Sequence, residues 1–153
     1  VGNYGWAFFM RILRSALIAA FTFAAAVTVI LLLAVLPNRL AFDGGESYSF
    51  FIGDTSKDCR VVTCGGGEAA IKRLTLNGVC GESATFKSLD LEQFLSSVNG
   101  EVLFKEELSD SVNYYCKADL PYSVILYGRQ VNLHVCVKND GVTVASPIIF
   151  GGY

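Results

Sequence analysis

The first pattern along the chain is a long uncharged apolar run, which extends from Ser15 to Leu36. About 20 helical residues, at about 1.5 Å each, cross the roughly 30 Å hydrocarbon core of a bilayer. A backbone in lipid forms its hydrogen bonds internally, so the run is predicted to be helical, and Pro37 is expected to end it. The sequence therefore predicts a transmembrane helix at residues 15–36.

The basic residues around this run predict its orientation. Arg11 and Arg14 precede the run, and only Arg39 follows it closely before the acidic residues begin. The positive-inside rule then places residues 1–14 in the cytoplasm and the part of the chain after the helix outside. We expect a single-pass protein of the cell membrane with an extracytoplasmic C-terminal domain.

A cleaved signal peptide is the alternative to a permanent anchor, because Met10 followed by basic residues has the form of a translation start. However, the apolar run is longer than the about 7–15 residues usual in a signal peptide. Arg39 also makes the boundary after the run a poor cleavage site. The sequence favours a signal anchor and leaves cleavage and the origin of residues 1–9 open.

After the helix, residues 37–47 are predicted to form a linker made flexible by Gly44 and Gly45, and residues 48–153 a separate domain. Short apolar and β-branched segments dominate this domain and predict strands. Asn77-Gly78 is typical of a type I′ hairpin turn between two of them. The predicted strands are SYSFFIG, CRVVTC, IKRLTL, VCGESATF, EVLFKE, SVNYYCKA, SVILY, QVNLHVCVK and VTVAS.

One segment of the domain has the periodicity of a helix. Ser88 is a good N-cap for it, and Asn99-Gly100 is a good stop signal. We expect it to be the one helix outside the membrane. Its apolar residues fall at i, i+3, i+4 and i+7 and form one stripe, namely Leu91, Phe94, Leu95 and Val98.

The segment QVNLHVCVK alternates between apolar and polar residues, which is typical of an antiparallel strand with one face on the core and one in water. The stripe of the predicted helix is expected to cover the apolar face. The sequence therefore predicts an α+β domain, with one amphipathic helix packed on an antiparallel sheet of five or more strands. The apolar residues are Val131, Leu133, Val135 and Val137, and the polar ones are Asn132, His134, Cys136 and Lys138.

The last residues of the chain are mostly apolar. Pro147 is expected to end the strand before them, because proline cannot donate to a sheet ladder. Ile148, Ile149 and Phe150 are then predicted to close the domain, as an edge strand or in a groove of the core. The alternative is an exposed apolar patch for a partner, which makes these three residues and Tyr153 the candidates for partner binding.

The distribution of charge argues against one class of function. Twelve basic and fourteen acidic residues give the chain a net charge of −2. The three charges before residue 43 are all basic, so the part that follows has nine basic residues against fourteen acidic ones, a net charge of −5. Because nucleic-acid phosphates require a basic surface, no nucleic acid is expected as a partner.

The five cysteines are the next candidate for chemistry. An exported domain permits disulfides, and an odd number leaves one thiol over. Strand alternation directs Cys116 to the core and Cys136 to the opposite face, which disfavours a bridge between them. The disulfide candidates are therefore Cys59, Cys64 and Cys80, with free buried thiols as the alternative.

Other motifs carry weaker signals. His134 and Cys136 share a strand face and are the weak candidates for a metal site. Because zinc prefers four ligands, no metal or cofactor is predicted. His134 is expected to face solvent. The segment CGGGE lacks the Lys-Ser/Thr of a phosphate loop and is expected to be a turn. Glu106, Glu107 and Asp110 are expected to form a solvated hairpin tip, and no catalytic set is predicted.

The last third of the chain contains a helix followed by VLFKEE, then NYYC, LPYSV, GRQVNLHVCV and the ending VTVASPIIFGGY. With these features, about residues 88–153 resemble the C-terminal part of the YwmB-like proteins of spore-forming Firmicutes. The resemblance implies an exported or membrane-anchored protein without a defined activity. The domain of these proteins is classified as a TATA-box-binding-like fold. It also implies that the apolar ending closes the domain.

We expect a membrane-anchored binding domain of the cell envelope, associated with the envelope or with sporulation and not an enzyme. Its expected partners are the membrane and another envelope protein, and no small-molecule substrate is identified. One alternative is an extracytoplasmic thiol or metal protein that uses Cys59, Cys64, Cys136 and His134. Another is a pilin-like subunit. Arg11, Arg14 and the lack of an acidic residue near the start of the apolar run argue against it.

Overall fold

The computed structural model describes residues 3–35, 38–53 and 59–150, and the chain divides into two compact units at Asn38 and Arg39. In the first unit, α1 extends from Asn3 to Val35. Its segment Phe8–Leu33 has a mean hydropathy of 2.6 and is long and apolar enough to span a membrane. The predicted apolar N-terminal helix is therefore confirmed, and it is compatible with a transmembrane helix or a signal anchor.

The two threonine hydroxyl groups within α1 form hydrogen bonds with the helix itself. Thr22 Oγ1 donates to Ala19 O, and Thr28 Oγ1 donates to Ala24 O, both at 2.9 Å. Hydroxyls bonded to carbonyls of the preceding turn add little to the cost of placing the helix in an apolar medium. The threonines are thus compatible with a membrane span.

The second unit is an α+β domain, as predicted. Its elements are β1 (Ser47–Ile52), β2 (Arg60–Gly65), α2 (Gly66–Thr75), β3 (Val79–Phe86), α3 (Leu91–Ser97), β4 (Glu101–Glu107), β5 (Ser111–Lys117), β6 (Val124–Leu126), β7 (Arg129–Val131), β8 (Leu133–Lys138) and β9 (Gly141–Ser146). Seven of the strands form one sheet in the order β2-β1-β3-β9-β8-β5-β4, in which every adjacent pair is antiparallel. Strands β6 and β7 form a separate antiparallel ribbon.

One face of the seven-stranded sheet, the core face, carries the hydrophobic core. Helix α2 contributes Ala69 to this core, and α3 contributes Phe94, whose ring centroid lies 6.1 Å from that of Phe42. Burial of each large apolar side chain stabilises the domain by about 1.5–3 kcal/mol. The core-face residues of the strands include Tyr48, Phe50, Ala84, Cys116, Leu133, Val135 and Val144.

The opposite face of the sheet is more polar, and the chain crosses it again after β9. We call residues 147–150 the tail and this face the tail face. Strand register and alternation assign to the tail face Ser49, Ser83, Thr85, Phe104, Glu106, Asn113, Tyr115, His134, Cys136 and Thr143.

The expectation of a single packed helix was wrong. The segment IKRLTL, predicted as a strand, forms the end of α2, whose buried residues Ala69 and Arg73 lie one turn apart. CGGGE, predicted as a turn, is divided between the end of β2 and the start of α2. The physical reason is tertiary packing, because Gly66 N donates to Glu46 O at 2.8 Å and starts the helix beside the residue that precedes β1.

Two boundaries also differ from the predictions. Helix α3 is capped by Asp90, which accepts from Gln93 N at 3.1 Å, and not by Ser88. QVNLHVCVK is interrupted at Asn132, because its side chain bonds both Ala118 N and Ala118 O and replaces the strand ladder there. The turn at Tyr127-Gly128 and the end of β9 before Pro147 are confirmed.

Part of the predicted flexible linker belongs to the domain. Phe42 is 2% exposed and lies in the hydrophobic core. Tyr48 Oη accepts from Gly45 N and donates to Phe42 O, both at 2.9 Å. The residues around Gly44-Gly45 therefore pack against the domain, whereas the sequence predicts a separate linker at residues 37–47.

Candidate functional site

A row of three rings forms the floor of the candidate site on the tail face. Phe104, Tyr115 and His134 are direct neighbours in register on β4, β5 and β8. Strands lie about 4.7–4.9 Å apart, so planar side chains at paired positions stack. The ring centroids are 4.6 Å apart for Phe104 and Tyr115 and 4.4 Å apart for Tyr115 and His134.

The β6–β7 ribbon and the tail form the two walls above this floor. Together they enclose a groove of about 410 Å³, which we call the aromatic groove. A concave site with an apolar lining and a few polar groups is the usual form of a ligand site. Its lining residues are Phe104, Lys105, Glu106, Tyr115, Leu126, Tyr127, His134, Ile148 and Ile149.

Tyr127 is the most exposed large side chain of the groove. It lies in the tight turn with Gly128, where the backbone φ angles are 50° and 74°, and 92% of it is exposed. Its ring meets that of Phe104 edge to face, with 5.7 Å between centroids. The ribbon is tied to the sheet because Arg129 Nη1 donates to Leu103 O at 2.8 Å.

The charged residues of the groove have different surroundings. Glu106 Oε2 accepts a hydrogen bond from Tyr115 Oη at 3.3 Å. Lys105 binds Glu107 and lies over the Tyr114 ring, 5.7 Å from its centroid. Strand alternation separates these two positions, because Lys105 pairs with Tyr114 and Glu106 with Asn113. The carboxylate of Glu106 is therefore one of the groups that line the aromatic groove.

His134 is buried, so the expectation that it faces solvent was wrong. Only 1% of it is exposed, because the tail crosses above it and Tyr115 stacks beside it. Its Nδ1 accepts a hydrogen bond from Ile149 N at 3.3 Å. Nε2 lies 3.1 Å from Asn113 Oδ1 and is therefore the nitrogen that carries the proton and donates. Burial lowers the pKa of His134 to about 4.

A second groove of about 240 Å³ lies on the other side of the tail. Ile149 lines this groove as well as the aromatic groove, so the tail separates two open spaces on one sheet face. The lining residues of the second groove are Thr85, Cys136, Lys138, Asp140, Gly141, Thr143 and Ile149.

The tail holds the predicted partner-binding candidates. Ile148 and Ile149 are half-buried, and Phe150 is 44% exposed, with its ring centroid 4.9 Å from that of Phe51. These residues form no strand. Tyr153 lies outside the described residues.

The cysteines lie apart from the aromatic groove. The structure describes all five and forms no disulfide among them, including the candidates Cys59, Cys64 and Cys80. Cys116 and Cys136 lie on opposite sheet faces, as predicted, and burial raises the pKa of the Cys116 thiol to about 11. Within residues 3–35, 38–53 and 59–150, no third ligand joins His134 and Cys136 to form a metal-binding group.

Sequence reasoning missed a buried carboxylate on the core face. Glu82 is fully buried, and its Oε1 accepts from Ala41 N at 2.9 Å and from Phe42 N at 3.4 Å. Burial raises the pKa of Glu82 to about 7, although the two N–H groups and Arg73 act in the opposite direction. The signal was present in the strand alternation, which places Glu82 on the same face as Ala84 and Phe86.

Comparison of the chain with protein-family models, with curated proteins and with solved structures gives no match. Its function is therefore inferred from the aromatic groove, the tail and the apolar helix.

Proposed function

We propose that the protein is a membrane-anchored binding domain of the cell envelope and that the aromatic groove binds its partner. The observation that carries the proposal is the groove itself, with the exposed Tyr127 ring on one wall and Ile149 on the other. Exposed aromatic side chains next to an apolar groove are typical of interaction sites, where tyrosine supplies a large contact area and a hydroxyl group.

The anchor is the first part of this proposal. The segment Phe8–Leu33 supplies a helix of sufficient length and hydropathy. Arg11 and Arg14 lie near the start of this segment and only Arg39 follows it closely, which supports a cytoplasmic N-terminus and an extracytoplasmic domain. The resemblance to the YwmB-like proteins supports the envelope, and a connection with sporulation, as the place where the domain acts.

The second part is binding without catalysis. The titratable groups whose pKa values burial shifts most, Glu82 and His134, lie on opposite faces of the sheet and do not form one site. His134 is engaged by the tail and by Asn113 through its two ring nitrogens. The groove supplies aromatic rings, aliphatic side chains and one carboxylate, and these groups suit the recognition of a protein surface or a peptide segment.

Partner recovery by variants of the groove tests the proposal. The full chain is crosslinked and purified from its own cells, with Tyr127→Ala as the groove variant and Val61→Ala as the control. Val61 is 51% exposed on β2, at the opposite edge of the sheet. We expect Tyr127→Ala to reduce recovery of a specific partner about tenfold, because central aromatic residues dominate binding energies. Equal recovery by the two variants would refute the role of the groove.

A further inference from the structure

Beyond Pro147, which is buried, the side chains of the tail are only partly buried, although they cover the middle of a sheet. The hydrogen bond from Ile149 N to His134 Nδ1 is long, at 3.3 Å. Ile148 and Ile149 are only half-buried, and Phe150 remains 44% exposed. Open grooves lie on both sides of Ile149. Segments with few buried contacts open at lower free energy than the sheet beneath them.

The tail does not satisfy all the hydrogen-bonding groups of the tail face, and these groups match the backbone of an extended peptide. His134 Nδ1 offers a hydrogen-bond acceptor, which Ile149 N–H uses. Asn113 binds His134 Nε2 through Oδ1, which leaves its Nδ2 as a buried donor without a hydrogen-bond partner in the described structure. One acceptor beside one donor matches the N–H and C=O groups of an extended backbone.

The rows of side chains also connect the two grooves. Glu106, Asn113 and Cys136 are register neighbours on β4, β5 and β8. Glu106 lines the aromatic groove and Cys136 lines the second one. Asn113 lies between them in this row, so displacement of the tail would join the two grooves across the tail face.

We propose that the tail face is a binding site for an extended apolar peptide segment of a partner protein, and that the tail is its displaceable intramolecular occupant. This inference rests on the proposed function and names the class of partner. The tail itself shows the chemistry that fits: a backbone N–H at His134, aliphatic side chains between the grooves and an aromatic ring against Phe51. The partner segment supplies in addition a carbonyl for Asn113 Nδ2.

The test uses the full chain in detergent micelles with residues 147–153 deleted and the synthetic peptide PIIFGGY as the probe. We expect the shortened chain to bind this peptide and the intact chain to bind it about tenfold or more weakly, because a tethered tail competes at high effective concentration. Methylation of the peptide nitrogen that corresponds to Ile149 should weaken binding about tenfold, since it removes the donor to His134.

A peptide with aspartate in place of Ile149 and Phe150 is the matched control and should not bind. The inference is overturned if a folded shortened chain fails to bind PIIFGGY or binds the control equally well.

If the shortened chain does not fold, hydrogen exchange of the intact chain decides. The Ile149 amide should exchange at least about a hundredfold faster than that of Val144 in β9, because the tail opens without the sheet. Equal exchange rates would make the tail part of the cooperative core and overturn the inference. Either of these two results, failed peptide binding or equal exchange rates, would exclude an extended peptide as the partner. If Tyr127→Ala still reduced partner recovery, the proposed function would nevertheless stand.

Discussion

At the centre of the tail face, the His134 ring is neutral because Nδ1 accepts from the tail and Nε2 donates to Asn113. Protonation of Nδ1 would set an N–H group against the Ile149 N–H. Burial and this arrangement explain why the pKa lies at about 4, below the ordinary 6.5.

The unfolded chain binds a proton at His134 between pH 4 and 6.5, and the folded chain does not. The contribution of His134 to the free energy of unfolding therefore rises with pH across this interval and is lost as the pH falls through it. The expected change is on the order of 3 kcal/mol. Denaturant unfolding of His134→Gln and the parent chain at several pH values measures it, and an unchanged slope in the variant would contradict the assignment.

Glu82 has the opposite dependence. Its pKa of about 7 in the folded chain lies above the ordinary 4.5, so the folded chain holds a proton that the unfolded chain has lost. The contribution of Glu82 to the free energy of unfolding therefore falls as the pH rises from 4.5 to 7, again by on the order of 3 kcal/mol, and it offsets the rise that His134 contributes. Glu82→Gln should therefore make the free energy of unfolding rise more steeply with pH than in the parent chain. The same pH dependence in variant and parent would show that Glu82 is ionised throughout.

Residue-level prediction succeeded where it needed only local periodicity. Alternation placed Cys116 and Cys136 on opposite faces and His134 on the polar face. It could not give the burial of His134, because the covering atoms come from a tail that follows another strand and crosses back over the sheet. The burial of Glu82 similarly depends on a packed segment distant in sequence.

At the scale of elements, the start of α2 depends on a close approach of backbone. A Cβ atom at Gly66 would lie 2.2 Å from Gly45 O, whereas one at Gly67 would meet nothing within 4 Å. Gly66→Ala should therefore destabilise the domain by about 1–3 kcal/mol. Gly67→Ala should be neutral or stabilise it by up to about 1 kcal/mol, because alanine favours the helix. Thermal unfolding of both variants measures the difference, and equal effects would contradict this packing.

The segment before β1 gives a second prediction for an element. Phe42 is buried in the core and its neighbour Asp43 is exposed. Phe42→Ala should reduce the free energy of unfolding by about 3–5 kcal/mol, and Asp43→Ala should change it little. If both variants unfold like the parent chain in a denaturant series, Phe42 lies in the flexible linker that the sequence predicts at residues 37–47.

Elements with clear periodicity were predictable, and those decided by packing were not. The alternation in β8 and the stripe of α3 identify these elements from the sequence. The segment that forms α2 combines two glycines with most of IKRLTL, whose β-branched and alternating residues favour a strand locally. The tertiary contact of Gly66 with Glu46 overrides that preference.

At the scale of the whole molecule, the accessibility of the cysteines tests which side of the membrane the domain occupies. Cys59 is exposed, whereas Cys116 and Cys136 are buried. A membrane-impermeant maleimide should label intact cells that express the chain, and Cys59→Ser should lose most of this labelling. In the Cys59→Ser chain, Asn3→Cys should react only after the cells are permeabilised. The reverse pattern would contradict the proposed orientation.

For the whole molecule, we expect the partner of the membrane-anchored domain to bind the tail face. Photo-crosslinking in intact cells measures this contact, with a photoreactive amino acid at position 127 or, as the control, at position 61. We predict a specific adduct from position 127, a higher yield of it when residues 147–153 are deleted, and none from position 61. Adducts of equal yield from both positions, or an adduct from position 61 alone, would contradict the account.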